Sequence, residues 1–435
     1  MTVSERSPVA AGQAPRGLAP IRQVLPNGVS VVVKETRTTP AVTIYAAVHA
    51  GTLYDPPDAA GLAHFVSRTI DRGTAAYAAD QIAEELDSRG VSLGVTVNRH
   101  VLSLVCTCLV EDFESVLGLV AEITMRPTFP PGEVETRRGE IITLIRQDED
   151  NPATVAVETL MRSLYGESHP YGRTVRGTIA TVERIDGVTL QRFHAERFRP
   201  GALSLALVGD VDAGRALGAA TGAFGGWKAG PRLEPVIPEI PPARERRVHV
   251  VPMMNKAQAD IAYGFTTILR SDARYYAYWL MNNILGQYSL GGRLGETIRE
   301  RQGMAYYTFS SLDANVIPGP LLIRAGVNPA NVERAVASVD EELSKLAAEG
   351  PTEREIAESK QYLIGSMPRT LETNIGIATF LQTSEFFGLG LDYDVRMPGL
   401  LQAVTREDVQ AAAREVLDPA RAVIAVAGPY AGELR

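Results

Sequence analysis

One segment of the chain carries polar residues at a spacing typical of a metal site on a helix. The segment GLAHFVSRTIDRGT begins at Gly61 and contains His64, Ser67 and Arg68. Residues three and four apart lie on the same face of a helix. A catalytic zinc needs three protein ligands, and this face offers one imidazole, one hydroxyl and a permanent cation that repels a metal ion. These residues therefore predict that the chain binds no catalytic zinc here, and the plainer interpretation is an ordinary helix histidine.

A second segment places an arginine before a tyrosine in SLGGRLGETIRERQGMAYYTFSS, which begins at Ser289. Arg299 lies near the end of a predicted helix, Gly303 ends that helix, and Tyr306 enters the next strand. A guanidinium and a phenol can both donate hydrogen bonds to the oxyanion of a tetrahedral intermediate. The alternative is a surface arginine and a half-buried strand tyrosine.

Composition excludes several other classes of protein. The 435 residues carry a net charge of −8 and include only two cysteines. The acidic balance argues against nucleic acid as a partner. Cys106 and Cys108 alternate along a predicted strand, which favours core packing over a metal or redox pair. No apolar run is long enough to span a membrane. The N-terminus lacks the features of a signal peptide, so we expect a cytoplasmic protein, or a periplasmic one if a signal has been removed.

The elements that position both segments are arranged in two similar halves. The segment Pro231 to Pro242 is rich in proline and predicts a linker. Each half begins with two strands and a helix, and each ends with a helix, an X-Pro step and a strand. We therefore predict an internal duplication, with a flexible tail (1–20), a first domain (21–228), a linker (229–246) and a second domain (247–435).

The predicted elements follow from β-branched alternation and from helical spacing of apolar residues. The strands are predicted at Gly28–Lys34, Ala41–Val48, Arg99–Leu109, Leu203–Gly209, Arg247–Pro252, Ala259–Phe265 and Ala422–Gly428, and the helices at Ala59–Ile70, Glu111–Met125, Gly132–Asp148, Val155–Leu164, Tyr275–Leu285, Asn331–Ala348 and Thr352–Ile364.

The surroundings of His64 resemble the zinc-binding helix of the inverzincins, the pitrilysin and mitochondrial processing peptidase family. Active members carry His-x-x-Glu-His in this position. The resemblance implies that Ser67 replaces the glutamate base and that Arg68 replaces the second histidine. The segment from Thr136 to Pro152 resembles the helix that supplies the third ligand, and Leu144 occupies the ligand position. The first half thus carries a degenerate zinc site; a displaced metal site using His64 and Glu140 is the alternative.

The resemblance extends to the substrate-binding features of the family. Active members have Asn-Ala on a strand that pairs with the substrate, whereas this chain has Gly94-Val95. The run Arg-Glu-x-x-Gly-Met-Ala-Tyr resembles the family's C-terminal signature, in which the pair matching Arg299 and Tyr306 polarises the substrate carbonyl. Gly291 and Gly292 match, by position alone, a glycine-rich loop that touches substrate in processing peptidases.

The resemblance implies an α+β fold with two homologous pitrilysin-type domains, each a mostly antiparallel sheet with flanking helices, that form half of a clamshell. It implies a zinc-free subunit of a heterodimeric metalloendopeptidase that degrades or processes unfolded peptides. This chain would supply Arg299 and Tyr306 and would be inactive alone, while a homologous partner would hold the zinc. Whether the chain forms a homodimer without that partner stays open on the sequence.

Three other functions stay open on the sequence. The alternatives are a structural or assembly subunit of a larger complex, a homodimeric peptidase with a metal site foreign to the family, and a peptide-binding chaperone. Variants of Arg299 and Tyr306 and a pull-down test the first, metal analysis tests the second, and peptide affinity without a partner tests the third.

Overall fold

Apolar and β-branched residues form eleven strands in the part of the chain that the computed structural model describes, residues 17–287 and 292–434. The predicted flexible tail lies largely outside these residues, as does Gly291. The strands are β1 (Ile21–Val24), β2 (Ser30–Glu35), β3 (Ala41–Val48), β4 (Gly94–Val97), β5 (Leu102–Leu109), β6 (Leu203–Gly209), β7 (Arg247–Pro252), β8 (Ala259–Thr266), β9 (Ala305–Leu312), β10 (Pro320–Val327) and β11 (Val423–Gly428).

Two sheets of matching topology confirm the predicted α+β fold and its internal duplication. The first has the order β1-β2-β6-β3-β5-β4 and the second has the order β7-β11-β8-β10-β9. In each sheet one pair is parallel, β2 with β6 and β7 with β11, and the other neighbours are antiparallel. Apart from β1, every strand of the first sheet therefore has a counterpart in the second, and β4 and β9 are equivalent edge strands.

Fourteen α-helices cover the described sheets. Seven of them were predicted with bounds, which agree to within three residues except that α11 extends six residues beyond the predicted end at Ile364. Two shorter helical segments with i to i+5 hydrogen bonds follow α9, at Asn283–Gln287 and Gly295–Arg301. The helices are α1 (Leu62–Thr69), α2 (Ala79–Asp87), α3 (Phe113–Met125), α4 (Pro131–Glu149), α5 (Pro152–Tyr165), α6 (Ile179–Arg184), α7 (Gly187–Arg197), α8 (Ala213–Phe224), α9 (Tyr275–Asn282), α10 (Val332–Glu349), α11 (Glu353–Thr370), α12 (Asn374–Phe386), α13 (Tyr393–Ala403) and α14 (Arg406–Val416).

The two halves exchange one helix each. Helix α5 belongs to the first half in sequence but packs against β8 and β11 of the second sheet. Helix α12 belongs to the second half but packs against β3 and β6 of the first sheet. Residues 229–246 contain no helix or strand. The predicted domain limits of 21–228 and 247–435 stay a prediction, because each sheet is covered partly by the other half.

Three predicted strands begin later than expected: β2 by two residues, β11 by one and β5 by three. The stretch Arg99–Leu109 was predicted as a strand, but β5 begins at Leu102. The side-chain oxygen of Asn98 accepts hydrogen bonds from the backbone N–H groups of His100 and Val101 at 2.8 and 2.9 Å. Such side-chain acceptors compete with strand pairing and stabilise turns. Arg99 consequently lies in the turn between β4 and β5.

Candidate functional site

The start of helix α1 is fixed by a buried carboxylate, and this positions His64. Gly61 adopts a left-handed conformation with φ of 92°, and a Cβ there would come within 2.4 Å of the carbonyl oxygen of Arg176. The carboxylate of Asp55 accepts the backbone N–H groups of Gly61 and Ala63, each at 2.8 Å. Two of the helix's free N-terminal donors are thereby satisfied. His64 follows Ala63 in this first turn of α1.

The residues at the degenerate zinc-motif positions form hydrogen bonds with each other and with neighbouring residues, and they are not arranged as a set of metal ligands. The Ser67 hydroxyl is buried and donates to the backbone oxygen of His64 at 2.7 Å. Arg68 donates to the carboxylate of Glu140 on α4 at 3.1 Å. Hydrogen bonds from Arg137 and from Arg68 lower the pKa of Glu140. The displaced site of His64 with Glu140 is therefore not formed, because two guanidinium groups occupy that carboxylate.

His64 lies in a cationic environment that is unsuited to a metal ion. Burial, with the nearby guanidinium groups of Arg176 and Arg68, lowers its pKa to about 4. Its Nε2 has no hydrogen-bond partner among the described residues. Leu144 is half-buried on α4 and offers no ligand atom. One imidazole does not fit a catalytic zinc, and across residues 17–287 and 292–434 no group of three or more His, Cys, Asp or Glu side chains is placed to hold a metal ion.

Tyr306 is presented to solvent by an irregularity in the edge strand β9. Ala305 pairs with Val327 of β10 and Tyr307 pairs with Gly326, so Tyr306 is the extra residue of a β-bulge. Bulges at sheet edges redirect a side chain. The Tyr306 side chain is 62 % exposed, and the neighbouring Tyr307 hydroxyl instead donates to the buried carboxylate of Asp260.

Arg299 lies in the segment Gly295–Arg301 that leads into β9. The buried Ile298 and a hydrogen bond of 2.8 Å from Thr297 to Glu342 anchor this segment on α10. The Arg299 guanidinium is 40 % exposed and lies 3.6 Å from the carboxylate of Glu300. Among the described residues no hydrogen bond joins Arg299 to Tyr306. Both side chains are accessible, and their catalytic role stays a prediction.

The sequence predicts that two further pairs of residues correspond to substrate-binding positions of the family it resembles, Gly94 with Val95 and Gly291 with Gly292. Gly94 and Val95 lie on the edge strand β4, opposite Val105 and Leu104 of β5. Gly292 is buried, and a Cβ there would come within 2.7 Å of the Gly286 Cα. This close packing explains a glycine at 292 without a ligand. A role of Gly292 in substrate binding stays a prediction, and Gly291 lies outside the described residues.

A cavity of about 520 Å³ opens beside His64, and no feature of the sequence predicted it. The turn between β4 and β5, residues 172–176, helix α5 and strand β10 line this cavity. Its walls carry four arginines and two acidic residues from separate segments of the chain. No local motif signals them, since only the fold brings them together: Arg99, Arg173, Arg176, Arg324, Asp148 and Glu158.

The predicted thiol pair packs in the core. Cys106 and Cys108 are free and buried on β5. Burial raises the pKa of Cys106 to about 12 and that of Cys108 to about 11. Both therefore stay protonated at neutral pH, as expected of core cysteines.

Comparison with known proteins identifies the class to which this fold and site belong. Residues 30–179 match the family described as insulinase (peptidase family M16), and residues 185–363 match the peptidase M16 inactive domain. The chain belongs to the M16 family, the pitrilysin-like inverzincins that the sequence resembles. It carries an altered zinc motif within that family.

Individual relatives agree with this assignment along nearly the whole chain. A protein of Mycobacterium leprae named an uncharacterized zinc protease is 27% identical over 433 residues, which cover 98% of this chain and 95% of the relative. The crystal structure of a peptidase M16 inactive domain from Pseudomonas fluorescens is 26% identical, with a TM-score of 0.88 and coverage of 96% of this chain and 100% of that chain. A protease from Helicobacter pylori, at 17% identity, shares the fold with a TM-score of 0.87 and coverage of 95% and 100%.

No helix among the described residues combines the length and apolar character needed to cross a bilayer.

Proposed function

We propose that this chain is the zinc-free subunit of a heterodimeric M16 metallopeptidase that degrades or processes unfolded peptides. The observation that carries the proposal is the contrast between the two halves. In the first half, Arg68 and Leu144 stand at two of the three ligand positions, and Arg68 forms an ion pair with Glu140. In the second half, the Arg299 and Tyr306 signature is complete and both side chains are accessible.

In this proposal the chain contributes hydrogen-bond donors. A homologous partner chain supplies zinc and the general base. Arg299 and Tyr306 bind the carbonyl oxygen of the scissile peptide bond and stabilise the oxyanion that develops on it. The bulge that turns Tyr306 outward supports this role, because a donor must reach a substrate held outside the sheet.

The edge strands support the choice of an extended peptide as substrate. Both β4 and β9 end their sheets, and their outer backbone groups have no strand partner among the described residues. An extended peptide can add to such an edge through backbone hydrogen bonds. A folded protein presents few free edges, so unfolded chains fit this mode of binding best.

Co-expression tests the proposal. The chain is produced with and without an M16 partner that carries His-x-x-Glu-His, and cleavage of an unfolded peptide is measured for each chain and for the pair. We expect cleavage by the complex alone. A stable complex whose activity does not depend on this chain would indicate instead a structural subunit.

A further inference from the structure

The cavity beside His64 is lined mainly by cationic side chains. Four guanidinium groups line it, from Arg99, Arg173, Arg176 and Arg324, against the two carboxyl groups of Asp148 and Glu158. The cavity therefore carries a net positive charge even when both acids are ionised. A cation is excluded on this ground, and an anion is favoured.

Three of the four arginines form no salt bridge with the described residues. Arg176 pairs with Asp148, whereas Arg99, Arg173 and Arg324 form no salt bridge with any described residue. Arg99 lies over the ring of Tyr171 at 5.3 Å, and Arg324 lies over the ring of Phe309 at 5.5 Å. Arg173 donates to the backbone oxygen of Asp55 at 3.1 Å. These contacts hold the guanidinium groups in place. The buried carboxyl of Asp55 offsets part of the charge of Arg173, whereas no described carboxylate forms an ion pair with Arg99 or Arg324.

Several donors in this region are also unsatisfied. The Nε atoms of Arg99, Arg173 and Arg176 are buried, and no described residue accepts from them. The Nε2 atom of His64 is also buried without a hydrogen-bond partner among the described residues. Buried polar groups normally have partners, because leaving a donor unpaired costs free energy. Planar guanidinium groups match the two oxygens of a carboxylate or the oxygens of a phosphate.

We propose that this cavity is a binding site for an oxyanion, the carboxylate of a peptide. The location favours a carboxylate over a free phosphate. Val97, the last residue of the edge strand β4, lines the cavity together with Val157 and Met161 of α5. A peptide paired with β4 would run toward Arg99, and its C-terminus or an acidic side chain would enter the cavity beside apolar groups. The cavity volume is within the range of sites for small ligands.

The choice of a peptide as the source of the carboxylate rests on the proposed function, but the site does not require catalysis. Arg324 is contributed by the second half, while the other three arginines come from the first. The site is thus built by the packing of the two halves within one chain.

Calorimetric titration of the purified full-length chain tests the site. The probes are acetyl-trialanine with a free C-terminus, the same peptide as its C-terminal amide, acetyl-Ala-Glu-Ala-amide, and inorganic phosphate. We expect a carboxylate peptide to bind about tenfold or more tightly than the neutral amide. The free C-terminus and the internal glutamate distinguish the two sources of the carboxylate. Equal binding of all three peptides, or binding of phosphate alone, overturns the proposal.

Charge-removing variants locate the site. Arg99→Gln and Arg324→Gln are each expected to weaken the carboxylate peptide about tenfold or more. Arg354→Gln is the matched control, because Arg354 is 84 % exposed on α11 and pairs with Glu358. If Arg99→Gln and Arg324→Gln bind like the control, the cavity is not the site. The comparison of acid and amide peptides on the unmodified chain stands even if a variant fails to fold. Because binding is measured without the zinc partner, a failed cleavage assay and a failed titration are distinguishable.

Discussion

Arg68 on α1 donates to Glu140 on α4 at 3.1 Å, across the two helices that carry the altered zinc-motif positions. His64 lies one turn before Arg68, and Leu144 lies one turn after Glu140. The ion pair therefore shows that the faces bearing the four positions meet. We infer that the scaffold of a metal site is kept, with Arg68 and Leu144 at two former ligand positions and the carboxylate of Glu140 paired with Arg68.

Restoring the ligands tests whether the scaffold alone is sufficient for metal binding. We expect the triple variant Ser67→Glu, Arg68→His, Leu144→Glu to purify with about one zinc per chain, because it offers three protein ligands and an open position. Metal analysis after gel filtration measures this. The single variant Arg68→His is expected to bind no stoichiometric zinc, since two imidazoles leave the ligand set incomplete.

The remote substitution Arg354→His controls for adventitious binding to a new imidazole. A triple variant that is folded by circular dichroism and carries no more zinc than this control would contradict the preserved scaffold.

The proposed catalytic pair gives a second prediction. In the complex with a zinc-bearing partner, Arg299→Ala and Tyr306→Phe are each expected to lower the cleavage rate about a hundredfold, the usual loss for an oxyanion donor. Their unfolding temperatures should stay close to that of the unmodified chain, because both side chains are substantially exposed.

Two exposed positions away from β9 serve as controls for that experiment. Arg354→Ala and Tyr77→Phe remove the same groups elsewhere on the surface. Cleavage that is as fast with the Arg299 and Tyr306 variants as with these controls would exclude the catalytic role and favour a structural subunit.

The elements and motif positions that contiguous residues specify could be predicted from the sequence. The strand Ala41–Val48 and the helix at Thr352 follow from alternation and from a capping box, and both lie where predicted. The loss of the zinc ligands could be seen at His64, Ser67 and Arg68 because the motif is contiguous. The resemblance to the family located these positions on facing helices.

What the sequence could not supply depends on contacts between distant residues. The bulge at Tyr306 arises from the register of β9 against β10, which no residue pattern specifies. The cavity beside His64 needs Arg324 from the other half of the chain. The exchange of α5 and α12 is likewise invisible, because an apolar helix face does not reveal which sheet it covers.

The exchanged helix α12 is expected to hold the two halves together. Ile377, Ala378 and Leu381 pack against Val32, Ala206 and Val208 of the first sheet. Leu381→Ala should lower the free energy of unfolding by about 2–4 kcal/mol, through lost burial and the cavity that remains. Urea denaturation measures the change.

A substitution on the solvent side of the same helix is the control for Leu381. Ile375 is 50 % exposed near the start of α12, so Ile375→Ala should change the unfolding free energy far less. Equal effects of the two substitutions would show that α12 does not stabilise the first sheet.

Asp55, which caps α1, predicts a dependence of stability on pH. Burial raises the pKa of its carboxyl to about 7, although the hydrogen bonds from Ala63 and Gly61 oppose the shift. The folded state thus keeps a proton that the unfolded state has lost above about pH 4. Asp55 therefore contributes stability at low pH that is lost as the pH rises to about 7, by at most about 1.4 kcal/mol per pH unit.

Comparing the chain with Asp55→Asn isolates this effect, because asparagine keeps an acceptor oxygen but does not titrate in this range. Urea unfolding is measured between about pH 5 and about pH 8. The unmodified chain should lose stability relative to the variant as the pH rises to about 7, and the difference between them should stay constant above that pH. Asp80→Asn, at an exposed position on α2, should leave the pH profile unchanged. A difference between Asp55→Asn and the unmodified chain that stays constant across this range would mean that Asp55 is ionised throughout, with the two backbone N–H groups and Arg173 outweighing its burial.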